Sequence, residues 1–169
     1  MITIAPATED DLPTIRDIAY QTWPNTFGNI LSPAQISYML DMMYSLESLK
    51  SQVTEKNHAF LLARDDESGT YLGYTSYELN YKSQSTTKIH KIYLLPASQG
   101  KGVGRLLIDC VAQAAQTHAN DQLSLNVNRS NKAVQFYERM GFAVVGTEDI
   151  DIGDGFLMED FIMEKPLKQ

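Results

Sequence analysis

Gly100, Gly102 and Gly104 fall in the short run Gln99-Gly100-Lys101-Gly102-Val103-Gly104, the stretch of this sequence best suited to chemistry. An apolar, strand-like stretch, Ile92-Tyr93-Leu94-Leu95-Pro96, leads into the run, and an amphipathic stretch follows it. A strand, a glycine turn and a helix in that order suit a bound anion. The first turn of a helix carries N–H groups without intrahelical partners, and the helix dipole presents its positive end there. Glycine removes the Cβ atoms that would hold a phosphate away from the backbone. Lys101 and Arg105 add positive charge at the mouth.

Spacing narrows the ligand. A dinucleotide fingerprint needs Gly-x-Gly-x-x-Gly, and its third glycine would fall at Arg105. The triphosphate loop Gly-x-x-x-x-Gly-Lys-Ser/Thr is absent. A glycine-rich helix start without a ligand is the plain alternative. Each glycine that replaces a helix former costs roughly 1 kcal/mol, so packing alone explains these glycines poorly.

Around the turn, apolar periodicity lays out the elements that must position it. Residues 2–4 read as a first strand. Thr8 and Asp11 resemble a capping box opening a helix through Leu12, Ile15, Ile18 and Ala19, broken by Pro24 and Gly28. Ser32 caps a second helix with Pro33 at its first position and Ile36, Met39, Leu40 and Met43 on one face. The period then becomes two, predicting strands at 59–63, 71–81 and 88–95. A helix over 102–119 would bury Leu106, Leu107, Cys110, Val111 and Ala114. Residues 123–127 form the next strand. Ser130 caps a short helix with Ala133, Val134, Tyr137 and Met140 inward, and Gly141-Phe142 is a Schellman-type stop. Two strands, 143–150 and 156–163, close one mixed α/β domain spanning residues 1–169.

The run Gln99–Gly104 resembles the Q/R-x-x-G-x-G/A signature of the GNAT family of N-acetyltransferases. Downstream, Asn131-Lys132-Ala133-Val134-Gln135-Phe136-Tyr137-Glu138-Arg139-Met140-Gly141-Phe142 is similar to that family's second signature, N-x-x-A-x-x-F-Y-x-x-x-G-F. The two motifs stand at the expected separation, and the order of elements agrees along nearly the whole chain. The resemblance implies an α/β (α+β) fold. Its sheet would be mixed, mostly antiparallel and six- to seven-stranded, with a central splayed parallel pair and about four flanking helices. It also implies acetyl-CoA as co-substrate, with an amine attacking the thioester directly in a ternary complex.

The same resemblance assigns residues. The CoA pyrophosphate would rest on Gln99, Gly100, Lys101, Gly102, Val103, Gly104 and Arg105. Backbone groups at Ile92, Tyr93 and Leu94 would hold the pantetheine arm and polarise the thioester carbonyl, as in an oxyanion hole. Tyr137 would be the general acid for the departing thiolate, or else a core aromatic beside Phe136. Asn131 would hydrogen-bond the cofactor arm, or serve only the first turn of its helix. His90 stands where many members carry a carboxylate base. An imidazole could accept the proton there, or simply anchor strands, with Glu78 in reserve. No enzyme nucleophile is needed, so Cys110 reads as a small buried hydrophobe.

For the acceptor, Trp23, Thr26, Phe27, Tyr38, Met42, Met43 and Tyr44 would form one wall, in a segment similar to a bacterial spermidine and spermine acetyltransferase subgroup. Aromatic faces and carboxylates suit polyammonium chains. Glu148, Asp149, Asp151, Asp154, Glu159 and Asp160 could extend an acidic wall, although most read better as solvated turn residues around Gly153-Asp154-Gly155. A small polyamine is therefore the expected acceptor. A peptide or protein N-terminus or lysine, and a CoA-binding module without catalysis, are the alternatives.

Bulk properties fit. With 169 residues, the chain suits one well-buried core. The net charge of -7 opposes a nucleic-acid surface and is compatible with a cationic substrate. No apolar run approaches the roughly 20 residues of a membrane span. One cysteine and no ligand spacing predict neither a disulfide nor a metal site. The N-terminal residues lack a basic, then apolar, leader, so a cytoplasmic protein is expected, and the family resemblance implies a homodimer.

Overall fold

In the computed structural model, which describes residues 1–168, the apolar periods resolve into seven strands in one sheet. Strand β1 (Ile2–Pro6) is followed by a 3-10 turn at Glu9–Asp11, where the Thr8 N–H donates to the Asp11 carboxylate at 2.8 Å. Helix α1 then runs over Leu12–Phe27. Pro24 does not break it. The cost of an interior proline, about 3 kcal/mol, is opposed by burial of Trp23 and Phe27 on either side.

Ser32 caps α2 (Pro33–Tyr44) as predicted, its Oγ accepting from the Gln35 N–H at 3.1 Å. Helix α3 (Leu46–Thr54) was not foreseen. Ser45 caps it through the Ser48 N–H, but it buries only Leu49 and Gln52, too few apolar positions for a periodic signal. Five α-helices therefore flank the sheet, rather than about four.

The remaining elements are β2 (Ala59–Asp65), β3 (Tyr71–Glu78), β4 (Thr86–Leu94), α4 (Val103–Thr117), β5 (Gln122–Asn128), α5 (Ala133–Arg139), β6 (Ala143–Gly153) and β7 (Phe156–Pro166). Strand order is β1-β2-β3-β4-β5-β7-β6, and only β4 and β5 are parallel. The closing hairpin is longer than periodicity suggested. Asp154 and Gly155 both take positive φ (54° and 79°), the two-residue turn whose twist matches that of paired strands.

Two apolar layers enclose the sheet. On one face, α1, α2 and α3 pack Ile15, Trp23, Met39 and Leu49 against Phe60, Leu62 and Tyr74. On the other, α4 and α5 pack Leu107, Val111, Tyr137 and Met140 against Ile89, Leu123 and Leu125. The buried stripe of α4 is Val103, Leu107, Ile108, Val111 and Ala115. Leu106 is exposed and Cys110 half-buried, so the stripe is rotated from the expected one. At α5 the Asn131 Oδ1, not Ser130, accepts from the Ala133 N–H at 2.9 Å. The Schellman stop is present: Phe142 N–H reaches the Tyr137 carbonyl and Gly141 N–H the Glu138 carbonyl.

Parallel pairing of β4 with β5 ends at Ile89 opposite Leu125, although both strands continue. At the same level the β3–β4 register shifts, leaving His90 as an extra residue between Ile89 and Lys91. That bulge bends β4 away from its neighbour. The two strands diverge, and a cleft opens between them. No helix among the described residues is long and apolar enough to cross a membrane.

Candidate active site

The cleft has a volume of about 440 Å³ and is walled by β4 from Ile89 to Leu94, by β5 from Leu125 to Asn128, and by Asn131, Phe136 and Tyr137 of the α5 region. Peptide groups alternate in direction along a strand. Because Leu95 N–H donates to the Leu72 carbonyl of β3, the Ile92 and Leu94 peptides face away from β3 and toward the opening. Tyr93 does not present its backbone there. Its ring instead packs against Trp23 at 5.6 Å and Tyr74 at 5.9 Å, so its contribution to the cleft is its side chain.

At one end of the cleft is the glycine turn. Gly100 and Gly102 take φ of 78° and 67°, a conformation that favours glycine, and a Cβ on either would meet only open space. Gly104 is glycine for a different reason. A Cβ there would lie 2.9 Å from the Phe136 ring and 3.4 Å from Leu94, so its absence lets α4 close onto the cleft wall. The amides of Val103, Gly104 and Arg105 have no acceptor among the described residues. Val103 itself is core, leaving only its backbone for a ligand. Gln99 and Arg105 are exposed, and Lys101 pairs with Asp65 at 3.0 Å.

Tyr137 lines the cleft while only 6% exposed, and burial pushes its phenol well above the ordinary range. The hydroxyl stays protonated and has no protein partner among the described residues, as a proton donor requires. Asn131 also lines the cleft, with one side of its amide committed to the Ala133 N–H and Nδ2 left over.

His90 lines the cleft too. Its Nε2–H donates to Glu78 Oε1 at 2.9 Å, and its ring stacks on His58 at 3.9 Å with planes 15° apart. Burial, then the neighbouring His58 and Lys91, holds the imidazole far below its usual range, so it is neutral. Burial moves Glu78 the other way, making its carboxylate a better proton acceptor. His58 Nε2 lies 3.6 Å from the same carboxylate oxygen, and its Nδ1 is buried without a partner. Two imidazoles and a carboxylate are a plausible ligand set for a divalent ion. Their donor atoms all lie within 4.8 Å of one another, as an ion would require, but His90 Nε2 is occupied as a hydrogen-bond donor to Glu78.

Lys91 escaped the sequence reading. Burial drives its ammonium down to about 7, and its Nζ donates to Gln52 Oε1 at 2.6 Å among the Tyr44 and Phe60 rings. Its alternation with Tyr93 on an inward-facing strand was the available signal.

At the other end, Trp23, Thr26, Phe27, Met42 and Met43 line the cleft, joined by Met39, Ile150, Ile152 and Met158. Tyr38 and Tyr44 do not. Tyr44 is core, hydrogen-bonded by Tyr74 at 2.6 Å, and Tyr38 donates to the Ile152 carbonyl at 2.8 Å, tying α2 to the closing hairpin. The acidic wall dissolves for the same kind of reason. Asp149 and Glu159 pair with Arg129, Asp151 accepts from Gly153 N–H, and Glu148 accepts from Asn126. Of the acidic residues in that segment, Asp160 lines the cleft.

A family model described as acetyltransferase (GNAT) domain matches residues 29–164. The chain is 27% identical over 158 residues to an uncharacterized N-acetyltransferase of Mycobacterium tuberculosis, covering 93% of this chain and 98% of that protein. It is 26% identical over 167 residues to the spermidine N(1)-acetyltransferase of Thermoplasma acidophilum, covering 97% and 96%. The crystal structure of PaiA N-acetyltransferase from Thermoplasma acidophilum in complex with coenzyme A superposes with a TM-score of 0.81 at 26% identity, over 98% of this chain and 99% of that one.

Proposed function

The chain belongs to the GNAT acetyltransferases, with residues 29–164 matched by their domain model, and on that premise we propose that it transfers an acetyl group from acetyl-CoA to a small primary amine, a polyamine foremost. The observation that carries this reading is the cleft between β4 and β5, lined by Tyr137 and adjoined at Leu94 and Phe136 by the turn whose α4 amides lack acceptors among the described residues. Residues 1–169 act as one catalytic domain.

The CoA pyrophosphate lies against the amides of residues 103–105, where Gly100 and Gly102 leave room and Lys101 and Arg105 supply charge. The pantetheine arm follows the unpaired edge of β4, taking hydrogen bonds from Ile92 and Leu94, while Asn131 Nδ2 holds it from the α5 side. One β4 amide polarises the thioester carbonyl.

The amine nitrogen attacks the carbonyl carbon, the C–S bond breaks, and Tyr137 gives its proton to the departing thiolate. The proton lost by the amine goes to the His90–Glu78 pair. With His90 shifted down and Glu78 up, the carboxylate is the better base of the two, so neutral His90 passes its Nε2 proton to Glu78 as its Nδ1 takes the proton of the amine. Spermidine is favoured because the Thermoplasma relative of known acceptor acetylates it, and because the acceptor end offers aromatic faces and a carboxylate.

A thiol-release assay with acetyl-CoA across polyamines, simple alkylamines, amino acids and peptides tests the reading. Turnover with polyamines above the other amines is expected. Turnover only with peptides would move the acceptor class, and CoA binding without thiol release over the whole panel would remove the catalytic reading.

A further inference from the structure

Asp160 is out of place by ordinary packing rules. It is 6% exposed, and its Oδ1 is buried with no hydrogen-bond partner. A buried carboxylate without a partner is costly, and native proteins keep such groups chiefly where a ligand completes them. The rest of the carboxyl is only weakly held. Oδ2 accepts from Asn126 Nδ2 at a long 3.4 Å, while Arg129 is directed to the Asp160 backbone carbonyl rather than to its side chain.

Register makes the position still less comfortable. Asp160 on β7 stands directly across from Glu148 on β6 and from Asn128 on β5. Like charges opposite each other on one sheet face repel. The nearby cation on β4 is Lys88, whose Nζ is spent on Asn126 Oδ1, and Arg129 is engaged by Asp149 and Glu159. Lys88 and Arg129 attract the Asp160 carboxylate through space, but neither forms an ion pair with it, so among the described residues it has no counter-ion in contact. Beyond the Asn126 and Asn128 amides, the cleft it lines offers apolar side chains: Met158 on the same strand, Ile150 on β6, Trp23 and Phe27 on α1, Met39 on α2.

We propose that Asp160 is the residue that binds the charged nitrogen of the acceptor, and that the acceptor class is a primary alkylamine or polyamine whose carbon chain lies along those apolar side chains. This rests on the acetyltransferase reading for its chemistry but not for its binding. The ammonium supplies the missing partner of Oδ1 and relieves the repulsion from Glu148. Asp160 determines acceptor specificity and takes no part in breaking the thioester.

Calorimetry on the full chain saturated with CoA tests this, using n-hexylamine, spermidine and 1-hexanol as probes. Wild type should bind n-hexylamine at least tenfold more tightly than 1-hexanol. Asp160→Asn, which keeps size and the Asn126 contact, should weaken both amines at least tenfold, leave CoA affinity unchanged and leave the melting temperature unchanged or raised. A merely structural carboxylate would instead lower the melting temperature and spare the amines. Equal binding of n-hexylamine and 1-hexanol by wild type, or amine affinity in the variant within twofold of wild type, would overturn the proposal. Thiol release by wild type with the same amines reports on catalysis separately. Amine binding that depends on Asp160, without turnover, would leave this site standing and remove the acetyltransferase reading.

Discussion

The donor end and the acceptor end of the cleft are built on opposite plans. The donor end is contiguous in sequence: the turn 99–104 and the segment 131–142 each bring a complete local device, a helix start with free amides and a capped helix carrying Tyr137. The acceptor end draws on α1, α2, β5, β6 and β7, and no two of its side chains within one element define it. On the proposed reading, backbone amides recognise the donor and side chains the acceptor. Such a division lets one scaffold keep its cofactor and change its substrate, because a strand residue can be replaced without disturbing the turn.

Changes at the donor end should be the more severe. Gly102→Glu adds a Cβ at φ 67° and a negative charge beside the α4 amides, and should weaken acetyl-CoA binding by more than about 100-fold. Unchanged affinity by calorimetry would remove the turn from the donor site. Tyr137→Phe leaves the packing against Phe142 in place and should lower kcat by roughly 100-fold with little change in the KM for acetyl-CoA. Full activity in that variant would return Tyr137 to the core as an ordinary aromatic.

Lys91 sits between the two ends and should register in stability rather than in either binding constant. Its folded value is about 7 and its ordinary value 10.5, so between these the unfolded chain holds the extra proton. Stability should therefore rise as pH increases from about 7 to about 10, and Lys91→Met should flatten that rise in urea melts. An identical pH dependence in the variant would mean that the buried amine is not the source. The smallest change expected is Tyr38→Phe, which removes the tie from α2 to the Ile152 carbonyl. It should cost about 1 kcal/mol and raise the amine KM a few-fold with CoA affinity intact. Equal loss at both ends would contradict their separate construction.

Much of the fold was legible because its signals are local. Strand and helix periods, the Ser32 cap and the Schellman stop at Gly141 each depend on a few consecutive residues. Helix α3 was missed because its stability comes from a cap and two buried residues, not from an apolar stripe. The α4 stripe was displaced because Leu106 and Leu107 are interchangeable to a periodicity argument, and only packing against Ile89 and Leu123 chooses Leu107.

What the sequence determined by itself is the glycine turn and the helix start behind it: Gly100 and Gly102 take the positive φ that glycine favours, and the signal lies in a few consecutive residues. Asn131 and Tyr137 followed from their own motif. Tertiary structure alone decided which side chains meet at the other end of the cleft and around His90. The bulge at His90, the approach of Glu78 and His58 to it, and the placing of Asp160 opposite Glu148 and Asn128 all depend on which strand lies beside which. Alternation along a strand says that Glu159 and Asp160 face opposite ways; it does not say which of the two faces water and which faces the cleft.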